Sequence, residues 1–379
     1  MKFIHLSDLH LGKRVNEFSM IEDQDYILKK ILEVIDEEKP DSVIIAGDVY
    51  DKSVPSAEAV ALFDSFLVSL AERNIQVFVI SGNHDSAERI AFGSRLMDAS
   101  GIHLSPVYSG EVSPIEMSDD YGRVNVYMLP FVKPSNVRAF FPEKEISSYT
   151  DAVKTAIDRM SVDPSQRNIL ITHQFVTGAA SAGSEELSVG GTDNVAAEVF
   201  DGFDYVALGH IHRSQKCGHE YVRYSGTPLK YSFSEAKDQK SVTVVVMKEK
   251  GNLEISSVPL KPKHDMVEIR GTYNELMLKS FYENTSYRSD YVHITLTDED
   301  DVPDALAKLR VVYKNIMKLD YDNTRTRNNA VLKDIEDVKS KSPFDLFSEF
   351  YRTQNGLEMS DEQAETVISL VEKIWEGDI

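Results

Sequence analysis

Seven aspartate, histidine and asparagine side chains stand just after short apolar runs of the sequence or at their ends, where they could bind metal ions or transfer protons. The runs are rich in Val, Ile and Leu, as strands buried on both faces are. In open α/β sheets, ligands gather beyond the carboxyl ends of the strands, so side chains at several such ends can share one site. The seven candidates are Asp8, His10, Asp48, Asn83, His173, His210 and His212.

The types of side chain indicate which ions such a site would bind. Imidazoles mixed with carboxylates and an amide oxygen, without thiolate, suit Mn²⁺, Fe²⁺ or Zn²⁺ better than Ca²⁺ or Mg²⁺. Seven ligands are too many for one ion, whereas two ions about 3.5–4 Å apart, bridged by a carboxylate, would use them all. Asp48 is the better bridging candidate, because it follows a middle strand while Asp8 and His10 can close around one ion.

Each motif has an ordinary structural explanation when it stands alone. A strand-end aspartate such as Asp8 often serves a turn, Asp48 could cap a helix, and His210 and His212 could be surface residues. Together, however, four of the ten histidines stand at strand ends beside two aspartates and one asparagine. The combination favours a shared metal site.

The first 260 residues alternate strand-like runs with amphipathic helical patterns. Helices are predicted over 22–38 and 56–73, the second with Ser56 as its N-cap. Such alternation is typical of an α/β layered fold. The predicted strands cover residues 2–6, 42–46, 77–81, 124–129, 168–172, 205–208 and 242–247.

The C-terminal third of the chain changes pattern. After the α/β domain, a small α+β unit reads strand, helix, strand, helix, with its last helix over 302–319. A Ser-Pro pair at 342–343 and a capping-box pattern at 360–363 mark the starts of two tail helices. The predicted divisions are an α/β domain at 1–262, a small α+β domain at 263–322, a polar linker at 323–340 and a helical tail at 341–379.

The composition limits the classes of function. A single cysteine, Cys217, excludes an intrachain disulfide and a zinc site built from several thiolates, and it fits a reducing compartment. No apolar run is long enough for a secretion signal or a membrane span, so we expect a cytoplasmic protein with no membrane contact. The net charge of −21 argues against broad neutralisation of nucleic-acid phosphates, but not against a nuclease whose metal ions meet the phosphate.

The candidate residues belong to five motifs. These are Asp-x-His at 8–10, Gly-Asp-x-x-Asp at 47–51, Gly-Asn-His-Asp at 82–85, the lone His173 and Gly-His-x-His at 209–212. In this order they resemble the motifs of the calcineurin-like metallophosphoesterases. The resemblance implies two sheets packed face to face with helices outside, and a two-metal site. It implies one ion held by Asp8, His10, Asp48 and His212, and a second held by Asp48, Asn83, His173 and His210.

Longer stretches narrow the resemblance to one family of nucleases. They are HLSDLHLG at 5–12, AGDVYDKSVPS at 46–56, SGNHDS at 81–86, LSVGGTDNV at 187–195 and YSGTPLKYSFSE at 224–235. Together they are similar to the SbcD family, the nuclease subunits of bacterial repair complexes, and the resemblance extends over essentially the full length. It implies a Mn²⁺-dependent nuclease for DNA repair and recombination, acting as an exonuclease on double-stranded ends and an endonuclease on hairpins and single strands.

The same resemblance implies partners. It suggests a capping role for the α+β domain, docking of the tail on an SbcC-type ATPase, and a homodimer within a heterotetramer. Because the chain lacks a GxxxxGK[ST] loop, any ATP dependence must come from such a partner. The tail could instead be a helical hairpin packed on its own domain. The candidate partner-binding residues are Phe344, Phe347, Phe350, Leu370, Ile374 and Trp375.

His84 and Asp51 are predicted to act in catalysis without binding metal. In phosphatases of the superfamily, an aspartate at position 51 holds the histidine of the Gly-Asn-His motif, so the resemblance implies an Asp51–His84 pair. His84 would stabilise the developing charge on the phosphate or protonate the leaving oxygen. The arginine that follows this aspartate in protein phosphatases is absent, since Lys52 and Ser53 stand there. Asp85 is expected to serve the turn or the helix that follows.

Two other functions stay open on the sequence. The first is a metallophosphoesterase that acts on nucleotides or phosphoproteins, against which the cap and tail argue. The second is a non-catalytic scaffold with the same fold. A scaffold should have lost ligands, whereas all seven positions are filled here.

Overall fold

The computed structural model describes the chain except for residues 182, 186–193, 325, 327–343, 345–346, 349, 353–357 and 376–379. By its internal contacts the chain divides into two compact units. The first comprises Met1–Ile269, Met277–Ile294 and Leu306–Leu319, and the second comprises Arg270–Leu276, Thr295–Ala305 and Asp320–Ile379. The predicted domain boundaries at 262 and 322 stay a prediction.

The first unit contains two six-stranded mixed sheets, each with parallel central strands. The second sheet is antiparallel at both edges, whereas the first is antiparallel only at the edge formed by its last two strands in the chain. In spatial order, the first sheet has β16 (Leu253–Pro259), β15 (Ser241–Met247), β1 (Lys2–Leu6), β4 (Ser42–Ala46), β5 (Gln76–Ile80) and β6 (Ile102–Leu104). The second has β13 (Gln215–Cys217), β14 (His219–Tyr224), β12 (Tyr205–Gly209), β9 (Arg167–His173), β8 (Gly122–Leu129) and β7 (Ile115–Asp119). Two short ladders pair β2 (Arg14–Val15) with β3 (Phe18–Ser19), and β10 (Phe175–Val176) with β11 (Asn194–Val195).

The two sheets pack face to face through fully buried side chains. Phe3 and Phe78 from the first sheet and Val124, Ile169 and Tyr205 from the second belong to one apolar cluster. Burial of each such side chain contributes roughly 1.5–3 kcal/mol. This layer places the carboxyl ends of the parallel strands of both sheets at a common edge. The predicted two-sheet α/β sandwich is confirmed.

Helices cover the outer faces of the sandwich. They are α1 (Ile21–Glu38) and α2 (Ala57–Ala71) with α3 (Ala87–Ile90) and α4 (Ser94–Met97), and on the other side α5 (Pro134–Arg138) and α6 (Tyr149–Asp158). The apolar face of α1 buries Ile27, Ile31 and Ile35, which are one helical turn apart. Ser56 accepts a hydrogen bond from Ala59 N–H and so caps α2, as predicted.

A three-stranded sheet follows in the chain, in the order β17 (Met266–Gly271), β18 (Tyr291–Leu296), β19 (Asn315–Tyr321). The connecting helices are short: α7 (Tyr273–Leu276), α8 (Lys279–Tyr282) and α9 (Ala305–Leu309). The prediction of a helix over 302–319 is therefore wrong beyond 309, where the chain forms β19. There β19 pairs with β18, and Ile316 and Met317 are buried. This tertiary packing overrides the local helical spacing, because propensity is a weak determinant beside packing.

The tail contains the helix α10 (Asp361–Trp375). Its predicted capping box is confirmed, since Ser360 N–H donates to Gln363 Oε1 at 2.9 Å and Gln363 N–H donates to Ser360 Oγ at 3.3 Å. The Ser-Pro pair at 342–343 and the linker from 327 to 340 lie outside the described residues. None of the helices in the described parts of the chain has both the length and the apolar character needed to cross a membrane.

Candidate metal centre

The structure brings all seven predicted ligands to one place in the first unit. Asp8 and His10 follow β1, Asp48 follows β4, and Asn83 follows β5. The other three come from the second sheet: His173 ends β9, and His210 and His212 follow β12. All but Asn83 are buried. The centre therefore lies at the carboxyl edge that the two sheets share, as expected for a ligand site in an α/β fold.

The loops after β1 and β4 are joined by main-chain hydrogen bonds, and several ligand residues have strained backbone conformations. Asp8 N–H donates to Gly47 O and His10 N–H donates to Asp48 O, each at 3.0 Å. Asp8, His10, Asp48 and His210 have positive φ angles of 53°, 45°, 48° and 104°. Such conformations cost non-glycine residues about 1–3 kcal/mol each and are retained mainly at functional sites. The backbone is thus held in an unfavourable form that turns these side chains toward the centre.

Asp85 joins the loop after β5 to the loop after β4. Its carboxylate accepts the N–H groups of Gly82, Val49 and Tyr50 at 2.9–3.1 Å. The first of these bonds closes the turn, as expected, while the other two reach the loop after β4. Burial, and next the charge of Asp48, raise the pKa of Asp85 to about 6. Asp85 is therefore a structural support of the centre.

One group of potential ligands consists of Asp8, His10 and His212, whose ligand atoms lie within 4.8 Å of one another. The Nε2 atoms of His10 and His212 are 3.1 Å apart. Two ligands bound to one ion at about 2.1 Å are separated by roughly 3.0–3.4 Å, so this distance matches the edge of a coordination polyhedron.

The second group gathers around Asp48 and Asn83. Asp48 Oδ2 lies 3.3 Å from His173 Nε2 and 3.7 Å from His10 Nε2, so it stands between the two groups. Asn83 Oδ1 lies 3.0 Å from His173 Nε2 and 3.0 Å from His210 Nδ1. Asp48 thus lies close to ligands of both predicted sets. Because Asp8 also groups with Asp48 and His173, and His84 with His10 and Asp48, the division into two ligand sets stays a prediction.

The charges of the carboxylates and imidazoles in the centre strongly affect one another's pKa values. Burial disfavours the ionised form of Asp48, but the imidazoles of His173, His10 and His84 together outweigh burial and hold the pKa of Asp48 well below its usual range. Burial lowers the pKa of His173, but the charge and hydrogen bond of Asp48, together with the charge of Asp8 and the Ala46 carbonyl, outweigh burial and raise that pKa to about 9. Burial lowers the pKa of His10 and raises the pKa of Asp8. His173 Nδ1–H donates to Ala46 O at 2.8 Å, which leaves Nε2 facing the centre.

Three glycines leave room for the ligands. A Cβ atom on Gly82 would lie 2.1 Å from Asp48 Oδ1, and one on Gly47 or Gly209 would lie 2.5 Å from His173 Nδ1. These glycines allow the ligand loops to approach each other more closely than any other residue type would.

His84 lies beside the ligands, but its contact with Asp51 differs from the predicted one. His84 Nδ1 is 3.0 Å from the main-chain carbonyl of Asp51. The Asp51 carboxylate instead accepts a hydrogen bond from Lys13 Nζ at 2.6 Å and lies 3.9 Å from His10 Nδ1. The expectation of a carboxylate–imidazole pair is thus corrected to a carbonyl contact. His84 Nε2 lies 3.9 Å from Asp48 Oδ2, within reach of a group bound there.

Several supporting residues were not predicted. Gln24 donates from Nε2 to His10 O at 2.7 Å and to Tyr231 Oη at 2.9 Å, and Tyr231 Oη donates to Leu9 O at 2.6 Å. These bonds hold the loop after β1. Ser184 and Glu235 contact the ring of His212 in a similar supporting position. These supporting residues lie far from the ligands in the sequence and belong to none of the five motifs, so no sequence pattern indicated their role.

The predicted partner-binding residues lie far along the chain in the tail. Phe347 and Phe350 are 44% and 60% exposed, with ring centroids 6.4 Å apart, and Leu370 is also exposed. Phe344 is half-buried, and the side chains of Ile374 and Trp375 lie outside the described residues. Exposure leaves the three exposed side chains available for contact, while their role stays a prediction.

The donor set fits divalent metal ions. It combines four imidazoles, two carboxylates and an amide oxygen, with ligand atoms close enough to share an ion and glycines where a Cβ atom would fill the space. Buried imidazoles and carboxylates at such distances are what a metal site requires.

Comparison with known proteins agrees with this chemistry. The family model of calcineurin-like phosphoesterases matches residues 1–214, and a model described as the type 5 capsule protein repressor C-terminal domain, of SbcD type, matches residues 262–355. The SbcD chain of the SbcCD nuclease of Staphylococcus epidermidis is 32% identical over 378 residues, covering 98% of each chain.

Similar solved structures are more distant. TT1561 of Thermus thermophilus is 12% identical, with a TM-score of 0.35 over 68% of this chain and 98% of its own. Yfce, a phosphoesterase from E. coli, is 12% identical, with a TM-score of 0.28 over 69% of this chain and 100% of its own.

The fold, the ligand cluster and the family match define a calcineurin-like metallophosphoesterase. Within that class, the full-length similarity assigns the chain to the SbcD family of nuclease subunits. The prediction of a phosphodiesterase of nuclease type is confirmed by this membership.

Proposed function

We propose that the chain is a two-metal DNA nuclease that hydrolyses phosphodiester bonds at double-stranded ends, in hairpins and in single strands. The observation that carries the proposal is the convergence of five strand-end loops from two sheets on one buried ligand cluster. We assign Asp8, His10 and His212 to one ion and Asn83, His173 and His210 to the other, with Asp48 shared. Mn²⁺ is the proposed metal, because nitrogen-rich mixed ligands favour it over Mg²⁺.

The ions, when bound, would polarise the scissile phosphate and lower the pKa of a bound water, so that hydroxide is available at neutral pH. The chain supplies the geometry for this. Asp48 keeps the two ligand groups adjacent, and the Ala46 carbonyl orients His173.

His84 is the proposed proton donor. Its Nδ1–H donates to the Asp51 carbonyl, which fixes the ring and leaves Nε2 facing the ligand cluster. In the doubly protonated ring, the Nε2–H can be donated to the leaving oxygen, which leaves a neutral ring with its hydrogen on Nδ1, or it can stabilise charge on the phosphate; such a donor typically contributes 10²–10⁴-fold to the rate. Lys13, held by Asp51, adds a positive charge beside the site.

We further propose that the protein acts in the cytoplasm in DNA repair and recombination, as a homodimer within a heterotetramer containing an SbcC-type ATPase. The full-length similarity to a chain of an SbcCD nuclease supports this. The exposed Phe347, Phe350 and Leu370 of the tail would contribute the apolar contact.

The nuclease proposal is tested with end-labelled duplex and hairpin DNA. Cleavage is measured with Mn²⁺, Mg²⁺, Zn²⁺ or Ca²⁺, with and without the partner ATPase and ATP, beside a small phosphodiester and a phosphopeptide. We expect Mn²⁺-dependent cleavage of DNA that disappears in Asp48→Asn. Faster turnover of the phosphopeptide than of DNA would instead favour a phosphatase, and no turnover of any substrate would favour a scaffold.

The docking proposal is tested by deleting residues 341–379 and by the paired change Phe347→Glu with Phe350→Glu. Co-purification with the ATPase should be lost in both, while Mn²⁺-dependent cleavage of hairpin DNA by the isolated chain is kept. Undiminished co-purification of the deletion variant would contradict a docking role for the tail. A surface change in the first unit, Arg123→Ala, whose side chain is 57% exposed, is the matched control.

A further inference from the structure

A hydrogen-bonded chain runs from the candidate ligand His212 to a buried carboxylate. His212 Nδ1 lies 2.6 Å from Ser184 Oγ, and Ser184 Oγ lies 2.5 Å from Glu235 Oε1. A serine hydroxyl has one hydrogen, and an ionised carboxylate can only accept. Ser184 therefore donates to Glu235 and must accept from His212 Nδ1–H. The proton on Nδ1 leaves the lone pair on Nε2, the atom that faces His10 Nε2 at 3.1 Å.

The carboxylate at the end of this chain is fully buried and paired. Glu235 is 0% exposed, and its Oε2 lies 2.5 Å from the ammonium group of Lys240, itself only 6% exposed. Lys240 Nζ also donates to the main-chain carbonyl of His212 at 2.8 Å. The ion pair thus contacts His212 at both its side chain and its backbone. Burying two charges is costly unless the pair has good geometry and further hydrogen bonds. In this protein the buried pair holds the imidazole ring of His212 in place.

His212 differs in this respect from His173, whose Nδ1 is held by a main-chain carbonyl. A carbonyl is present whatever the side chain, whereas the support of His212 depends on the identities of residues 184 and 235. Ligating histidines generally need such a partner on the second nitrogen to fix tautomer and orientation.

We propose that Glu235, acting through Ser184, is a positioning residue that holds His212 in the tautomer able to bind one of the two metal ions. The inference rests on the proposed two-metal function. It assigns the support to a single ion, because His212 belongs to the group with Asp8 and His10. The other ion should be affected little.

The test measures Mn²⁺ binding by the full-length protein with calorimetry and electron paramagnetic resonance. The variants are Ser184→Ala, Ser184→Thr, Glu235→Gln and the double change Glu235→Gln with Lys240→Met, which removes the unpaired ammonium. Asp238→Asn is the matched control, because Asp238 pairs with Arg213 at 3.1 Å and lies three residues after Glu235. Melting temperatures are recorded for all.

Ser184→Ala and both Glu235 variants should lower the affinity for one Mn²⁺ ion about 10–100-fold. This is the range typical when a metal-binding histidine loses the hydrogen-bond partner of its second ring nitrogen. At low Mn²⁺ concentration, the electron paramagnetic resonance spectrum of these variants should change from that of two coupled Mn²⁺ ions to that of a single ion. Cleavage should recover as Mn²⁺ is raised, Ser184→Thr should restore tight binding, and the control should match the wild type.

Wild-type affinity for both ions in Ser184→Ala and Glu235→Gln would overturn the inference while leaving the two-metal proposal intact. Equal loss of both ions together with a large fall in melting temperature, unrelieved in the double variant, would show a general structural role and would also overturn it. A wild-type protein that binds fewer than two Mn²⁺ ions would instead refute the proposed function itself.

Discussion

Replacing Gly82 by alanine should disable the metal centre through one added methyl group. A Cβ atom at this position would lie 2.1 Å from Asp48 Oδ1 and 2.4 Å from Asp48 N, whereas real Cβ atoms essentially never come within 3.0 Å of another atom. Something must move by about 0.9 Å or more. Because one of the two atoms is main chain, rotating the Asp48 side chain cannot relieve the clash.

The expected effects follow from that displacement. Overpacking of this kind costs about 1–3 kcal/mol of stability, which corresponds to a fall of roughly 2–12 °C in melting temperature for a domain of this size. Asp48 is the carboxylate that we propose to be shared by both ligand groups, and misplacing a catalytic group by about 1 Å can cost 10²-fold in rate. We therefore expect kcat/KM for DNA cleavage to fall at least about 100-fold, with weaker binding of both ions.

The assay combines Mn²⁺ titration by calorimetry, thermal unfolding and cleavage of labelled hairpin DNA. Gly202→Ala is the matched control, because its Cβ atom would meet nothing within 4 Å, and it should change none of the three readings. Wild-type Mn²⁺ affinity and cleavage in Gly82→Ala would refute the reasoning. Reduced cleavage with both ions still tightly bound would show that the clash acts elsewhere than on Asp48.

Three further predictions concern the centre and the sandwich. Asp48→Asn should lose both Mn²⁺ ions by elemental analysis, since Oδ2 stands between His173 and His10, and retention of both would remove its shared role. His84→Gln should keep both ions while cleavage falls about 10²–10⁴-fold; an equal fall in metal content would make His84 a ligand. The Arg167 guanidinium lowers the pKa of Asp119, so this pair stabilises the fold above the ordinary aspartate pKa of about 3.9 and loses its effect as pH falls below it. Asp119→Asn should therefore cost about 1–2 kcal/mol in urea unfolding at pH 7, with a smaller difference at pH 3, and a difference independent of pH would contradict the charge mechanism.

Much of the fold and the centre could be predicted from local patterns. The bounds of β1 and β4 agree with the expected apolar runs, because the pattern that predicts a strand lies within a few consecutive residues. The seven candidate ligands were identified in the same way, since each stands at or just beyond a strand end. The third strand β19 was missed because its spacing also suits a helix, and only pairing with β18 decides between the two.

The amino-acid sequence by itself determined the chemistry of this protein: which side chains can bind metal, which strands carry them, and the family to which they belong. Only the tertiary structure decided how those side chains are held. Ser184 and Glu235 reach His212 from 28 and 23 residues away, and the Asp51 carbonyl, not its carboxylate, contacts His84. The physical reason is that ligand identity is a property of single residues. Orientation depends instead on hydrogen bonds between loops that meet only when the two sheets pack.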